Sequence, residues 1–166
     1  MYSIYDTNVM LICYWQTMSS HSLSIVVDGP GIDADHRSHW AFAIHHDNTE
    51  YGTVMQVQVI DLSRLIYQFD ERKGVEIRSK GSEGSFTVAS LTQEQARQAA
   101  KIIREEPAPR DGVERCQDWV LRTIISLEAE EVVPPGTSAD LERLIGKTAT
   151  TVAEQVGVRW IKTATE

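Results

Sequence analysis

Cysteine is scarce in this sequence: 166 residues include two, Cys13 and Cys116. Two thiols allow one bridge at most, so no disulfide framework can stand in for a hydrophobic core, and a reducing compartment is the simpler setting. Long apolar runs are missing too. The longest near the N-terminus, Val9 to Trp15, falls well short of the roughly 20 residues that span a bilayer, and it lacks a basic flank and a small-residue cleavage site. With no lipidation motif or targeting tag in view, the expected location is cytoplasmic, away from the membrane. Nor is there a basic run. Sixteen Lys and Arg are scattered among twenty-four Asp and Glu, for a formal net charge of −8, which on average repels nucleic acids and anionic membranes. A small molecule or a peptide remains as the expected substrate, and the sequence leaves the oligomeric state open.

What is present is an ordinary globular composition, 42% hydrophobic and 24% charged. A chain of this length buries roughly two-thirds of the surface its unfolded form exposes, enough for a core without metal or disulfide. No internal repeat or low-complexity tract divides it, so residues 1–166 read as a single domain.

The apolar runs Val9 to Trp15 and Leu23 to Val27 read as strands, the second ending at the breaker Asp28-Gly29-Pro30-Gly31. Trp40 to Ile44 and Val54 to Ile60 flank a polar segment and predict a hairpin centred near Asn48 and Thr49. Alternation puts Trp40, Phe42, Ile44, Met55, Val57 and Val59 on one bulky face. His39, Ala41, Ala43, Gln56 and Gln58 fall on the other, a small and polar face that would let a helix pack closely beside a site. Leu62 to Phe69 reads as a short helix or a turn, Gly74 to Gly84 as hairpin loops, and Ser85 to Ala89 as a strand. A capping box of Ser90 and Gln93 opens a helix to about Glu105. A second helix runs from about Glu114 to Glu130, with Cys116 in its first turn, and a third begins at Ser138 with a break near Gly146. Val158 to Ile161 forms a last strand. The expected fold class is α+β, an antiparallel sheet of four to six strands against about three helices.

A thiol in the first turn of a helix feels the positive end of the helix dipole and unpaired N–H groups, both of which favour thiolate. Arg115 adds a neighbouring positive charge. The bland alternative is packing, since free cysteine is among the most buried residue types. His39 supplies a base at the start of a strand, and Gln58 on the neighbouring strand is placed to orient it, with Gln56 as the alternate if the register differs. Trp40 and Trp119 belong to the core or wall a pocket beside the pair, and with Gln56 they are the expected substrate-binding residues. His36 and His39, with Asp33 and Asp35 upstream, lack a second ligand pair at metal spacing. The glycines from Gly81 to Gly84 lack the lysine and helix of a phosphate loop. Neither metal nor cofactor is therefore expected.

The segments SHWAF (Ser38 to Phe42) and RCQDWVLRTIISLE (Arg115 to Glu128) resemble a group of uncharacterised fungal proteins with a domain of unknown function, in which an H-W strand precedes a cysteine helix. The order histidine, polar residue, cysteine is similar to that of the circularly permuted papain-like hydrolases and acyltransferases, such as the NlpC/P60 and lecithin:retinol acyltransferase groups. This resemblance, covering roughly residues 38–133, implies a permuted papain-like fold, with Cys116 as nucleophile, His39 as base and Gln58 as the third residue. Gln117 stands where the fungal pattern has arginine, and no glycine precedes the cysteine. The expected function is a thiol-dependent enzyme, a hydrolase or acyltransferase acting on an acyl or amide bond, in fungal secondary metabolism. Its competitors are a cyclase or isomerase using His39 without a thiol nucleophile, and a binding protein that has lost the chemistry, which the two departures favour.

Overall fold

The computed structural model describes residues 20–164; the expected strand Val9 to Trp15 and Cys13 lie outside them. The described residues form an α+β fold. Strands β1 (His21–Asp28), β2 (His39–His46), β3 (Tyr51–Asp61), β4 (Ile66–Glu76), β5 (Ser82–Leu91) and β6 (Trp160–Lys162) make one antiparallel sheet in the order β4-β3-β2-β1-β5-β6. Helices α1 (Gln93–Glu105), α2 (Cys116–Ala129), α3 (Thr137–Glu142) and α4 (Ala149–Val156) follow, with a 3-10 turn before β6. Among the described residues no helix is long and apolar enough to cross a membrane.

Several expectations need correction. Leu62 to Phe69 is a turn followed by the start of β4: Tyr67 and Phe69 alternate with Gln68 and Asp70, a strand period. The capping box of α1 is Thr92 with Gln95, because β5 continues through Leu91 and takes Ser90 into the ladder. The third helix does break near Gly146, into α3 and α4; Gly146 lies in the turn between them with a φ of 73°, a left-handed conformation that glycine adopts at little cost.

The two faces of the sheet are covered differently. Leu23, Ile25, Val27, Trp40, Phe42, Met55, Val57 and Phe86 form one core with the apolar stripes of α1 and α2. Phe42 meets Trp119 of α2 edge-on, ring centroids 5.6 Å apart. The helices thus lie on the bulky face, not on the small one. The small face has another occupant. Val26, Ala41, Ala43 and Val54 cluster with Ile77, and Val75 packs against them.

The connection from β4 to β5, Ile77 to Gly81, explains the small residues. In sheet order β4 and β5 are four strand spacings apart, about 19 Å on a flat sheet. The six Cα–Cα steps from Glu76 to Ser82 reach about 20–22 Å when extended, so the connection has little slack. The chain therefore crosses the back of the sheet by a nearly direct route, with Ile77 packed on its small face. Arg78 marks the crossing, donating to Ser85 of β5 (3.1 Å) and to Glu50 before β3 (2.8 Å). Larger side chains than Ala41 and Ala43 would hold this segment off the sheet.

Candidate functional site

Cys116 is the first residue of α2 and is 7% exposed; His39 is the first residue of β2 and is half-buried. The structure brings them within hydrogen-bond reach of each other. Their meeting depends on a gap in the sheet. Strands β2 and β3 pair only from Phe42↔Met55 to His45↔Gly52, so beyond Phe42 the edge of β2 is free on that side. The N-terminus of α2 fills the opening. The backbone N–H groups of Trp40 and Gln117 lie near enough to Cys116 Sγ to favour its thiolate. Because strand amides lie in the plane of the sheet, the thiol sits at the edge of β2, where it meets a histidine whose strand face is turned away from the helices.

Burial is the largest influence on both groups, and it disfavours their charged forms. The hydrogen bond and charge of the partner outweigh it. Cys116 is held below its ordinary thiol range by His39 and then by the Trp40 and Gln117 amides. His39 is raised above the ordinary imidazole range by Cys116, then by Gln56 and the charge of Asp28. The arrangement favours a thiolate beside an imidazolium.

The amide on His39 is Gln56, not Gln58. Gln56 Oε1 lies 2.8 Å from His39 Nε2, and Gln56 is buried, whereas Gln58 is exposed. The hairpin is centred where expected, so Gln58 would face His39 if the ladder continued. It does not continue, and the diagonal neighbour on the same face makes the contact instead. Gln56 sits opposite Asp70 of β4 and donates to its Oδ2 at 3.0 Å; Arg72 Nε donates to the same oxygen at 2.9 Å. On the other side of His39, Asp28 is its cross-strand partner in β1. Asp28 Oδ1 is buried without a hydrogen-bond partner, and burial pushes this carboxyl up against the opposing pull of His39.

Trp40 and Trp119 are fully enclosed. Their indole N–H groups are taken by Ser38 Oγ (3.2 Å) and the Glu106 carbonyl (3.2 Å), so both belong to the core and neither walls an open pocket. Gln117 is also fully buried: its side chain donates to the Ser38 carbonyl (2.9 Å) and accepts from the Gly146 N–H (2.9 Å). It clamps the start of β2 to α2 and to the α3–α4 turn. Arg115 points away from the thiol onto Asp35, and Asp118 caps the Arg115 N–H and pairs with Arg37 at 3.1 Å.

Sequence reasoning missed Tyr67, Asp28 and Asp70. Tyr67 is 7% exposed, and its hydroxyl, raised first by burial and then by the field of Cys116, stands among Cys116, Arg115, Asp118 and Arg37. The alternation through Phe69 and Asp70 is the signal that would have placed it on a strand. His36 binds Asp33 in an exposed turn, and no group of three or more His, Cys, Asp or Glu among the described residues is arranged to hold a metal ion.

Residues 31–134, which include the β2 histidine, both amides and the cysteine helix, match the model of a family of unknown function, DUF6540. The chain belongs to that family. No curated protein and no solved structure matches it. The matched span ends near the close of α2 and leaves out β1, α3, α4 and β6, so the DUF6540 region contains both members of the Cys116–His39 contact.

Proposed function

We propose that this DUF6540 protein is a thiol-dependent enzyme acting on an acyl or amide bond of a small molecule or peptide, on a permuted papain-like plan and in fungal secondary metabolism. The observation that supports it is the Cys116–His39 pair at the start of α2, with two backbone amides near the sulfur. In this reading Cys116 attacks the carbonyl carbon as thiolate, and His39 passes its proton to the leaving group. The resulting thioester is released to water in a hydrolase or to another nucleophile in an acyltransferase. The Cys116 N–H and the Tyr67 hydroxyl receive the oxyanion, and Gln56 takes the orienting role first given to Gln58.

The pH dependence of iodoacetamide labelling tests the nucleophile. Cys116 in the folded protein should alkylate with an apparent pKa well below the free-thiol value of about 8.5, and His39→Ala should move it upward. Labelling of ordinary pKa in both proteins would sink the thiol mechanism. A second reading has its own support in Asp28, a raised carboxyl facing His39: a cyclase or isomerase in which His39 and Asp28 move protons and the thiol is only packed. On a substrate turned over by the wild type, loss of turnover in His39→Ala with turnover retained in Cys116→Ser would select it.

A further inference from the structure

We propose that Asp70, acting through Gln56, fixes His39 as the Nε2–H tautomer and so reserves Nδ1 for the proton of Cys116. An ionised carboxylate only accepts, and Arg72 Nε sits 2.9 Å from Asp70 Oδ2, compensating its charge. The Gln56 group 3.0 Å from that oxygen must therefore be the NH2 end; the reverse orientation would set two acceptors against each other. The other end of the amide, 2.8 Å from His39 Nε2, is then the carbonyl oxygen. A carbonyl can only accept, so His39 Nε2 carries the hydrogen in both the neutral and the charged ring. The nitrogen left to exchange a proton is Nδ1, the one available to the sulfur.

Asp70 thus decides a protonation site two residues away without touching the reacting atoms, which makes it a positioning residue. The sequence pattern alone gives no hint of it, since Asp70 is partly exposed and its salt bridge with Arg72 resembles many surface pairs. The groups facing His39 are Gln56 from β3, Cys116 from α2 and Asp28 from β1. Of these, Asp28 is the one that competes, because its carboxylate would favour a ring hydrogen on whichever nitrogen it approaches.

The inference rests on the Cys116–His39 contact, and its test reads the tautomer without any substrate. In Cys116→Ala the imidazole is neutral at alkaline pH, and nitrogen-15 imidazole NMR distinguishes the two tautomers. We expect Nε2–H in Cys116→Ala. Adding Asp70→Asn, whose amide offers a donor as well as an acceptor, should give a mixture, and Asp70→Glu should restore Nε2–H. With Cys116 present, Asp70→Asn should raise the apparent alkylation pKa of Cys116, slowing labelling at pH values well below that pKa by about tenfold for each unit of the rise. Should Asp70→Asn not fold, Asp70→Ser, which can also donate or accept, serves in its place. An Nδ1–H tautomer in Cys116→Ala, or an unchanged Nε2–H tautomer in the folded Asp70→Asn or Asp70→Ser variant, would overturn the inference. An ordinary thiol pKa with the expected tautomers would instead overturn the thiol mechanism and leave the role of Asp70 standing.

Discussion

Gln117 shows how much one buried amide can hold. It joins Ser38, at the entrance to β2, to α2 and to Gly146, and Ser38 immediately precedes the histidine of the site. Truncation would leave a buried carbonyl and a part-buried N–H unpaired, each costing about 1–3 kcal/mol. We expect Gln117→Ala to lower the unfolding free energy from urea titration by an amount in that range or above, with a lower midpoint, and to raise the alkylation pKa of Cys116, because the His39 end of β2 loosens. An unchanged midpoint would show that water replaces the amide freely. As a departure from the arginine that the sequence resemblance leads one to expect, Gln117 reads in sequence as a mark of lost chemistry. Its hydrogen-bond partners, more than twenty residues away in either direction, instead place it beneath the site as a clamp. Cys116 was legible for the opposite reason: its placement depends on a helix start, which local sequence signals well.

At the scale of elements, the site exists because β2 and β3 part beyond Phe42 and Met55 and the start of α2 enters the gap. The far end of α2 is tied down by Glu128, which accepts from the Gly136 N–H (2.7 Å) and the Ser138 N–H (2.8 Å) at the start of α3. These bonds hold its carboxyl below the usual range, the Gly136 amide most. A depressed folded-state value means that the stability it contributes is present above the unfolded value, about 4.3, and is lost as pH falls through the folded one. Glu128→Gln should therefore melt below the wild type at pH 7, with the gap closing on acidification below about pH 4. A gap independent of pH would point to geometry and not charge. A second element shows local rules at work: Thr92 and Gln95 cap α1 reciprocally, and Thr92→Ala should cost about 0.5–2 kcal/mol in chemical denaturation. A capping box was expected here, two residues early, because nothing in the local sequence says where a strand hands over to a helix.

For the whole molecule, the crossing of the back of the sheet by residues 77–81 leaves the other face to the helices. Closure at the far edge depends on Gly84, where an added Cβ would lie 2.5 Å from the Trp160 ring and 2.6 Å from the Ile161 carbonyl. Gly84→Ala should push β6 off β5, raising hydrogen exchange at Trp160–Lys162 and costing about 1–3 kcal/mol as overpacking. The alkylation profile of Cys116 should stay as in the wild type, since β6 lies at one edge of the sheet and the β2–β3 gap does not. A shifted profile would mean that the two regions are coupled. By itself the sequence determined the α+β class, most of the strands, the helix beginning at Cys116 and the alternation of β2 and β3, because periodicity, caps and turn residues act over a few neighbours. Only the tertiary structure decided that the small face belongs to a crossing segment, that Gln56 and not Gln58 meets His39, and that Asp70 stands behind it. Those contacts join residues far apart along the chain, and they follow from where a ladder stops and where a connection crosses the sheet, which no local period records.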